Sequence, residues 1–166
     1  CMSGRAHVPR LTAAKPLPPL SLRLHLPTRG AITNLVVEPL PTAIEAEPAA
    51  GEVVLRVKAV ALNFRDVLNV LGEYPGDPGP PGGDCAGVVE ACGDGVEHLS
   101  PGYHSFGYAH APLASAARGL ALLLARMGRS VCFEQACTLP TVWSTVHVAL
   151  RGSALRGGRR LLVHAA

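Results

Sequence analysis

"LNFRDVLNVLGEYPGDPGPPGGDCAGVV", residues 62–89, sets three textures end to end: a short amphipathic run, a turn dense in Pro and Gly, and an apolar tail. Asn63 stands at an N-cap position, Val67, Leu68 and Leu71 follow at helical spacing, and Gly72 offers a stop, so a short helix is predicted. Pro75, Pro78, Pro80 and Pro81 stiffen the turn, while Gly76, Gly79, Gly82 and Gly83 permit backbone angles that other residues avoid. Such a turn suits a wall that holds small contacts without reorganising. The tail, "DCAGVVEACGDGVEHL", reads as a strand, a Gly93-Asp94-Gly95 turn and a returning strand.

Working outward, "GEVVLRVKAVAL" alternates with period two, with Val53, Leu55 and Val57 on one face and Val54, Arg56 and Lys58 on the other. "AITNLVVEPL" before it and "LSPGYHSFGYAHAPLASAA" after it continue a pattern of turns and short strands. A β-rich, partly closed sheet is expected. Residues 1–29 are Pro-rich and read as a linker or the end of a preceding domain, although "SLRLHL" alternates well enough for one edge strand. Near Phe133 the period changes. Ala136, Leu139, Val142, Trp143, Val146 and Leu150 recur at helical intervals, with Pro140 bending or restarting the helix. "LLVHAA" then reads as a strand of the kind buried on both faces of a parallel sheet. A β domain at 30–130 joined to the start of an α/β domain at 131–166 follows.

The chain has 166 residues and a formal charge of +3, with its fifteen Lys and Arg scattered. A nucleic-acid interface concentrates such charge, so no nucleic-acid partner is expected. The apolar run "GLALLLA" is too short to cross a bilayer, so no membrane partner is expected either. Five cysteines without paired C-x-x-C spacing point to free thiols in a reducing compartment, hence a cytoplasmic location. The chain begins with Cys1 and is expected to be a fragment of a longer polypeptide.

The order of these elements, with the wording of "LNFRDVL", "GEYPGDPGPPGGDCAGVV", "ACTLPTVWSTVHVAL" and "LLVHAA", resembles the medium-chain dehydrogenase/reductase superfamily. Within it, the enoyl reductase domains of type I polyketide synthases match best, in the zinc-independent branch that also contains the quinone reductases. The resemblance implies a GroES-like, partly closed β-barrel followed by the first strand of a Rossmann NADPH-binding domain. It implies NADP(H)-dependent reduction of a 2-enoyl thioester carried by an acyl carrier protein, with other synthase domains in cis. The phosphate-binding glycine turn of the family would follow Ala166, so this chain alone is expected to bind NADPH weakly or not at all. A free-standing quinone or enone oxidoreductase and a non-catalytic GroES-like remnant remain as alternatives.

Five site residues follow from the resemblance. Asn63 matches an asparagine beside the nicotinamide, and is equally a helix N-cap. Arg65 and Asp66 fall in the cleft wall. Tyr74 matches a tyrosine considered as proton source for the α-carbon; a phenol with a reference pKa of ~10 can donate to an enolate, and a turn aromatic beside Pro75 is the alternative. Thr145 matches a threonine facing the nicotinamide carboxamide, against the alternative of a hydroxyl bonded to its own helix. No metal is expected, because Asn63 stands at the first catalytic zinc-ligand position, "GGDCAG" replaces the His-Glu motif, and no four-cysteine lobe exists. Cys85 reads as a small buried packer. The sequence departs from the family at Tyr103-His104-Ser105, where Pro-Gly-Asp is usual, and at Cys132, where a capping serine is usual with Gln135 as its reciprocal partner.

Overall fold

The computed structural model describes residues 21–153, 155–162 and 164. Among the described residues two antiparallel sheets make the fold. β1 (Leu22–His25) pairs with β2 (Val36–Pro39), and the one-turn helix α1 (Thr42–Glu45) follows β2. The second sheet contains β3 (Glu52–Val60), β4 (Asp84–Cys92), β5 (His104–Tyr108), β6 (Ala116–Leu120) and β7 (Leu124–Arg126), in the order β6-β3-β4-β5-β7. β6 and β7 lie at opposite edges of this sheet, yet only the 3₁₀ turn Ala121–Leu123 joins them. Such a short link forces the sheet to curl, and an isolated bridge between His110 and Arg118 brings the end of β5 toward β6. The result is a partly closed barrel of the GroES type.

The period-two reading of β3 holds from Leu55 onward, whereas Val54, read on the face of Arg56 and Lys58, is buried as well, next to a register shift between Val54 and Leu55. Val53 and Leu55 are fully buried, Arg56 and Lys58 are exposed, and burial of a side chain such as Leu55 contributes about 1.5–3 kcal/mol. With Cys85, Val89, Leu99, Ala117 and Leu124 they form the barrel core. β4 is buried on both faces because its other side, at Ala86, meets Ala136 and Cys137 beside α3 (Phe133–Ala136). Gly87 lies so close to β3 that a Cβ there would strike the Arg56 carbonyl and come within 3.1 Å of Val57 Cα.

β1 belongs to this body, since Leu24 N–H donates to the Leu113 carbonyl and Ser115 N–H to that of Leu22. The remaining residues of the proline-rich segment, 1–20, lie outside the described residues. The returning strand expected after Gly95 is absent. The chain from Gly93 to Tyr103 runs irregularly, with a turn at Pro101-Gly102, because Leu99 drops into the core and the ladder resumes only at β5. The Tyr103-His104-Ser105 departure is accommodated there: Ser105 is fully buried and its hydroxyl donates to the Ala125 carbonyl (2.9 Å).

Pro140 restarts the helix. α3 is followed by α4 (Pro140–Gly152), and at the start of α3 the Cys132 N–H donates to Gln135 Oε1 (3.3 Å), the reciprocal partner expected of it. The apolar face of α4 lies in solvent among the described residues, with Trp143 63% exposed. Of the strand expected over 161–166, only Leu161, Leu162 and His164 are described; they are exposed and lie in irregular backbone. No helix among the described residues is long and apolar enough to cross a membrane.

Candidate functional site

The Pro/Gly turn is tied to one helix. α2 (Phe64–Leu71) starts at Asn63 and ends on Gly72, whose φ of 77° is the left-handed stop expected of it. Three side chains of α2 reach the turn in step: Arg65 Nη2 donates to the Pro78 carbonyl (2.5 Å), Asn69 Nδ2 to that of Gly79 (3.0 Å), and Gly82 N–H donates to Asp66 Oδ1 (2.8 Å). From the other side, Arg29 donates to Asn69 Oδ1 (2.9 Å) and to Asp77 (2.7 Å). The Arg29 guanidinium, helped by the Gly79 N–H, holds the Asp77 carboxyl below its ordinary range. These bonds answer why the turn is stiff: it is a surface held against a helix.

A cleft of about 550 Å³ opens between the barrel and α4. Asp84 and Tyr108 line it from the barrel, Thr141, Ser144 and Thr145 from the helix, and Leu122, Leu123 and Leu124 close it with apolar surface. Tyr108 is 40% exposed and its ring rests on Gly83, where a Cβ would run into the ring, with Cδ2 at 3.0 Å. Asp84 is 1% exposed and binds both sides of the cleft. Its Oδ2 accepts from Asn63 Nδ2 (3.2 Å) and the Thr141 N–H (3.0 Å), and its Oδ1 accepts from Thr141 Oγ1 (2.8 Å).

Ser144 Oγ donates to the Pro140 carbonyl (2.6 Å) and Thr145 Oγ1 to the Thr141 carbonyl (2.8 Å). Each hydroxyl has one proton and two lone pairs, so both protons are spent on the helix and the lone pairs remain for the cleft. The alternative reading of Thr145, a bond to its own helix, therefore describes its donor only.

A model of the alcohol dehydrogenase GroES-like domain matches residues 49–146, which include β3, β4 and the first half of α4. The chain belongs to that family. Through it the chain belongs to the medium-chain dehydrogenase/reductase superfamily. It is 41% identical over 158 residues to the pikromycin polyketide synthase component PikAII of Streptomyces venezuelae, an alignment that takes 92% of this chain and 4% of that protein. The CurK enoyl reductase superposes with a TM-score of 0.72 at 30% identity, covering 80% of this chain and 43% of that one. The apo JamJ enoyl reductase gives 0.75 at 25% identity, covering 88% and 47%. The chain thus spans a small part of the synthase and under half of each reductase.

Within this GroES-like domain the five expected site residues divide. Asn63 reaches the cleft edge through Asp84, and Thr145 lines the cleft. Arg65 and Tyr74 form a pair, with the guanidinium 5.6 Å from the ring centroid. Arg65 also lies beside Tyr108, whose phenol is the main cause that raises the guanidinium pKa above its ordinary value, against desolvation; Tyr108 therefore links this pair to the cleft. Tyr74 itself is half-buried behind Arg65 and is not among the residues lining the cleft.

Asp66 requires a correction. It is 5% exposed and does not line the cleft; its carboxylate turns inward, accepting from the Asn63 N–H (2.8 Å) and the Gly82 N–H. The cause is local: at the third position of the helix a carboxylate reaches back to the N-cap backbone. Cys85 is a core residue as read, and burial, with the Asp84 charge beside it, pushes its thiol up to about 12. Asp84 and Tyr108 were missed. The only sequence signal for Asp84 is an acidic residue at the head of an apolar strand, directly after Gly82-Gly83.

Proposed function

We propose that this chain forms the cleft wall of an NADPH-dependent enoyl reductase domain of a polyketide synthase, acting on 2-enoyl thioesters of an acyl carrier protein alongside other synthase domains in cis. The observation that carries this reading is the donor and acceptor pattern of the cleft. Ser144 and Thr145 offer lone pairs from α4 to the cleft, and the Asn63 amide is bonded to Asp84, which lines the same cleft. Lone pairs on a helix face suit the N–H groups of a primary carboxamide, so these residues fit a nicotinamide. Similarity to the two enoyl reductases and to the synthase supports the reaction class.

When bound, the nicotinamide supplies hydride to the β-carbon. Thr145 Oγ1 and Asn63 would hold the carboxamide and so orient the ring. The apolar surface of Leu122, Leu123 and Leu124 excludes water from the acyl chain. Tyr74 stands outside the cleft lining and is the proposed proton source for the α-carbon on the family resemblance alone; the Arg65 guanidinium beside its ring would offset the negative charge left on the phenol oxygen. Asn63 at the position of a catalytic zinc ligand, with its amide engaged by Asp84, supports a route that uses no metal. The four described cysteines are free thiols, which supports a reducing, cytoplasmic setting.

The test is an assay of the complete reductase polypeptide carrying this chain, with NADPH and a 2-enoyl pantetheine thioester. Saturated thioester formed in step with NADPH loss is expected. NADPH loss with the thioester equal to that of a heat-killed control, alongside NADPH-consuming reduction of a quinone in a parallel assay, overturns the proposal in favour of a quinone oxidoreductase.

A further inference from the structure

Burying a carboxylate is costly unless donors surround it, and the donors around Asp84 come from distant parts of the chain. Asn63 lies 21 residues before it and Thr141 57 residues after it. α4 cannot cap itself. Leu139, at its N-cap, has no side-chain acceptor and Pro140 has no N–H, so Thr141 carries the first N–H that needs a partner, and Asp84 supplies it. An ionised carboxylate only accepts, so the Asn63 amide must turn its NH₂ group toward Asp84. One side chain thereby sets both which way Asn63 points and where the first turn of α4 sits.

We infer that Asp84 is a positioning residue that locks the Asn63 amide and the Ser144–Thr145 face of α4 into one register across the cleft. The inference rests on the proposed function only in that these groups meet the nicotinamide. The register follows from the hydrogen-bond pattern rather than the charge. In Asp84→Asn, the amide oxygen takes the place of Oδ2 and accepts both N–H groups, while the NH₂ donates to Thr141 Oγ1, which turns from donor to acceptor. In Asp84→Leu all three bonds are lost at similar volume.

The test is nuclear magnetic resonance of the whole 166-residue chain and its variants. Asp84→Leu is expected to speed exchange of the Thr141 amide on the order of tenfold or more, and to collapse the separation of the two Asn63 side-chain N–H signals toward that of a free amide. The amides of Val53 and Val89 in the core should keep their protection; a general loss of stability would move them equally. Asp84→Asn should stay within about twofold of the parent at Thr141. Should Asp84→Leu unfold, Thr141→Val decides: it removes only the bond to Oδ1, frees the carboxylate to turn, and should shift the Asn63 side-chain signals. Unchanged Asn63 signals in Thr141→Val, or equal damage from Asp84→Asn and Asp84→Leu, overturn the inference. None of these readouts involves NADPH or thioester, so a failed reductase assay leaves the inference standing, and failed resonance shifts leave the proposed function standing.

Discussion

Asp66 and Asp84 are both buried carboxylates, and replacing each with Asn should have unequal consequences. The donors on Asp66 are two backbone N–H groups, of Asn63 and Gly82, at 2.8 Å each. Neither can become an acceptor, so in Asp66→Asn the new NH₂ must confront one of them and leave it unpaired. A buried donor without a partner costs about 1–3 kcal/mol, and the lost charge in the first turn of α2 adds a few tenths to about 1 kcal/mol. A total near 2–3 kcal/mol is expected. At this chain length each kcal/mol moves the midpoint about 2–4 °C, so Tm should fall by roughly 4–12 °C. Asp84→Asn, where the Thr141 hydroxyl can reverse, should cost under about 1 kcal/mol and shift Tm by no more than about 4 °C. Urea titrations followed by circular dichroism measure both, with unchanged m-values marking an intact two-state transition. Equal losses, or a larger loss for Asp84→Asn, would refute the assignment of donors and acceptors around the two carboxylates.

Other expectations are independent of that one. Gly87→Ala should cost at least about 3 kcal/mol, because its Cβ meets the fixed backbone of β3, whereas Gly83→Ala should cost about 1 kcal/mol, because the half-exposed Tyr108 ring can swing away; urea unfolding ranks the two. Among the described cysteines, exposed Cys132 should react first with a disulfide reagent at pH 8, and buried Cys85 only on unfolding, as mass spectrometry of the labelled peptides would show. Because the Cys85 thiol ionises near 9 when unfolded and at about 12 when folded, only the unfolded chain releases its proton between those values. Its contribution to stability is complete below pH 9 and declines as pH rises toward 12, a slope that should become shallower in Cys85→Ala, with the raised Cys92 and Cys137 thiols supplying part of what remains. In the complete reductase, Tyr74→Phe should lower kcat about 10²-fold with little change in KM, and an unaltered kcat removes Tyr74 from the mechanism. Trp143, the sole tryptophan, should be readily quenched by iodide in the isolated chain, and resistance to quenching would contradict the exposed placement of α4.

What depends on neighbours along the chain was legible in the sequence. Leu55 and Val57 alternate with Arg56 and Lys58 in β3; Asn63 and Gly72 bracket α2; Cys132 and Gln135 mark the start of α3; Pro140 restarts the helix. These signals act within about four residues, where backbone sterics and capping operate directly. Tertiary folding alone sets where Asp84 points, because its Thr141 donor lies 57 residues away, and it brings Gly82 to Asp66, whose other bond, from the Asn63 N–H, is local capping. It likewise decided that Leu99, expected in a returning strand, instead fills the core, and that the apolar face of α4 meets solvent among the described residues. Periodicity records which side chains avoid water, while the partner that shields them is settled only when the chain folds back on itself.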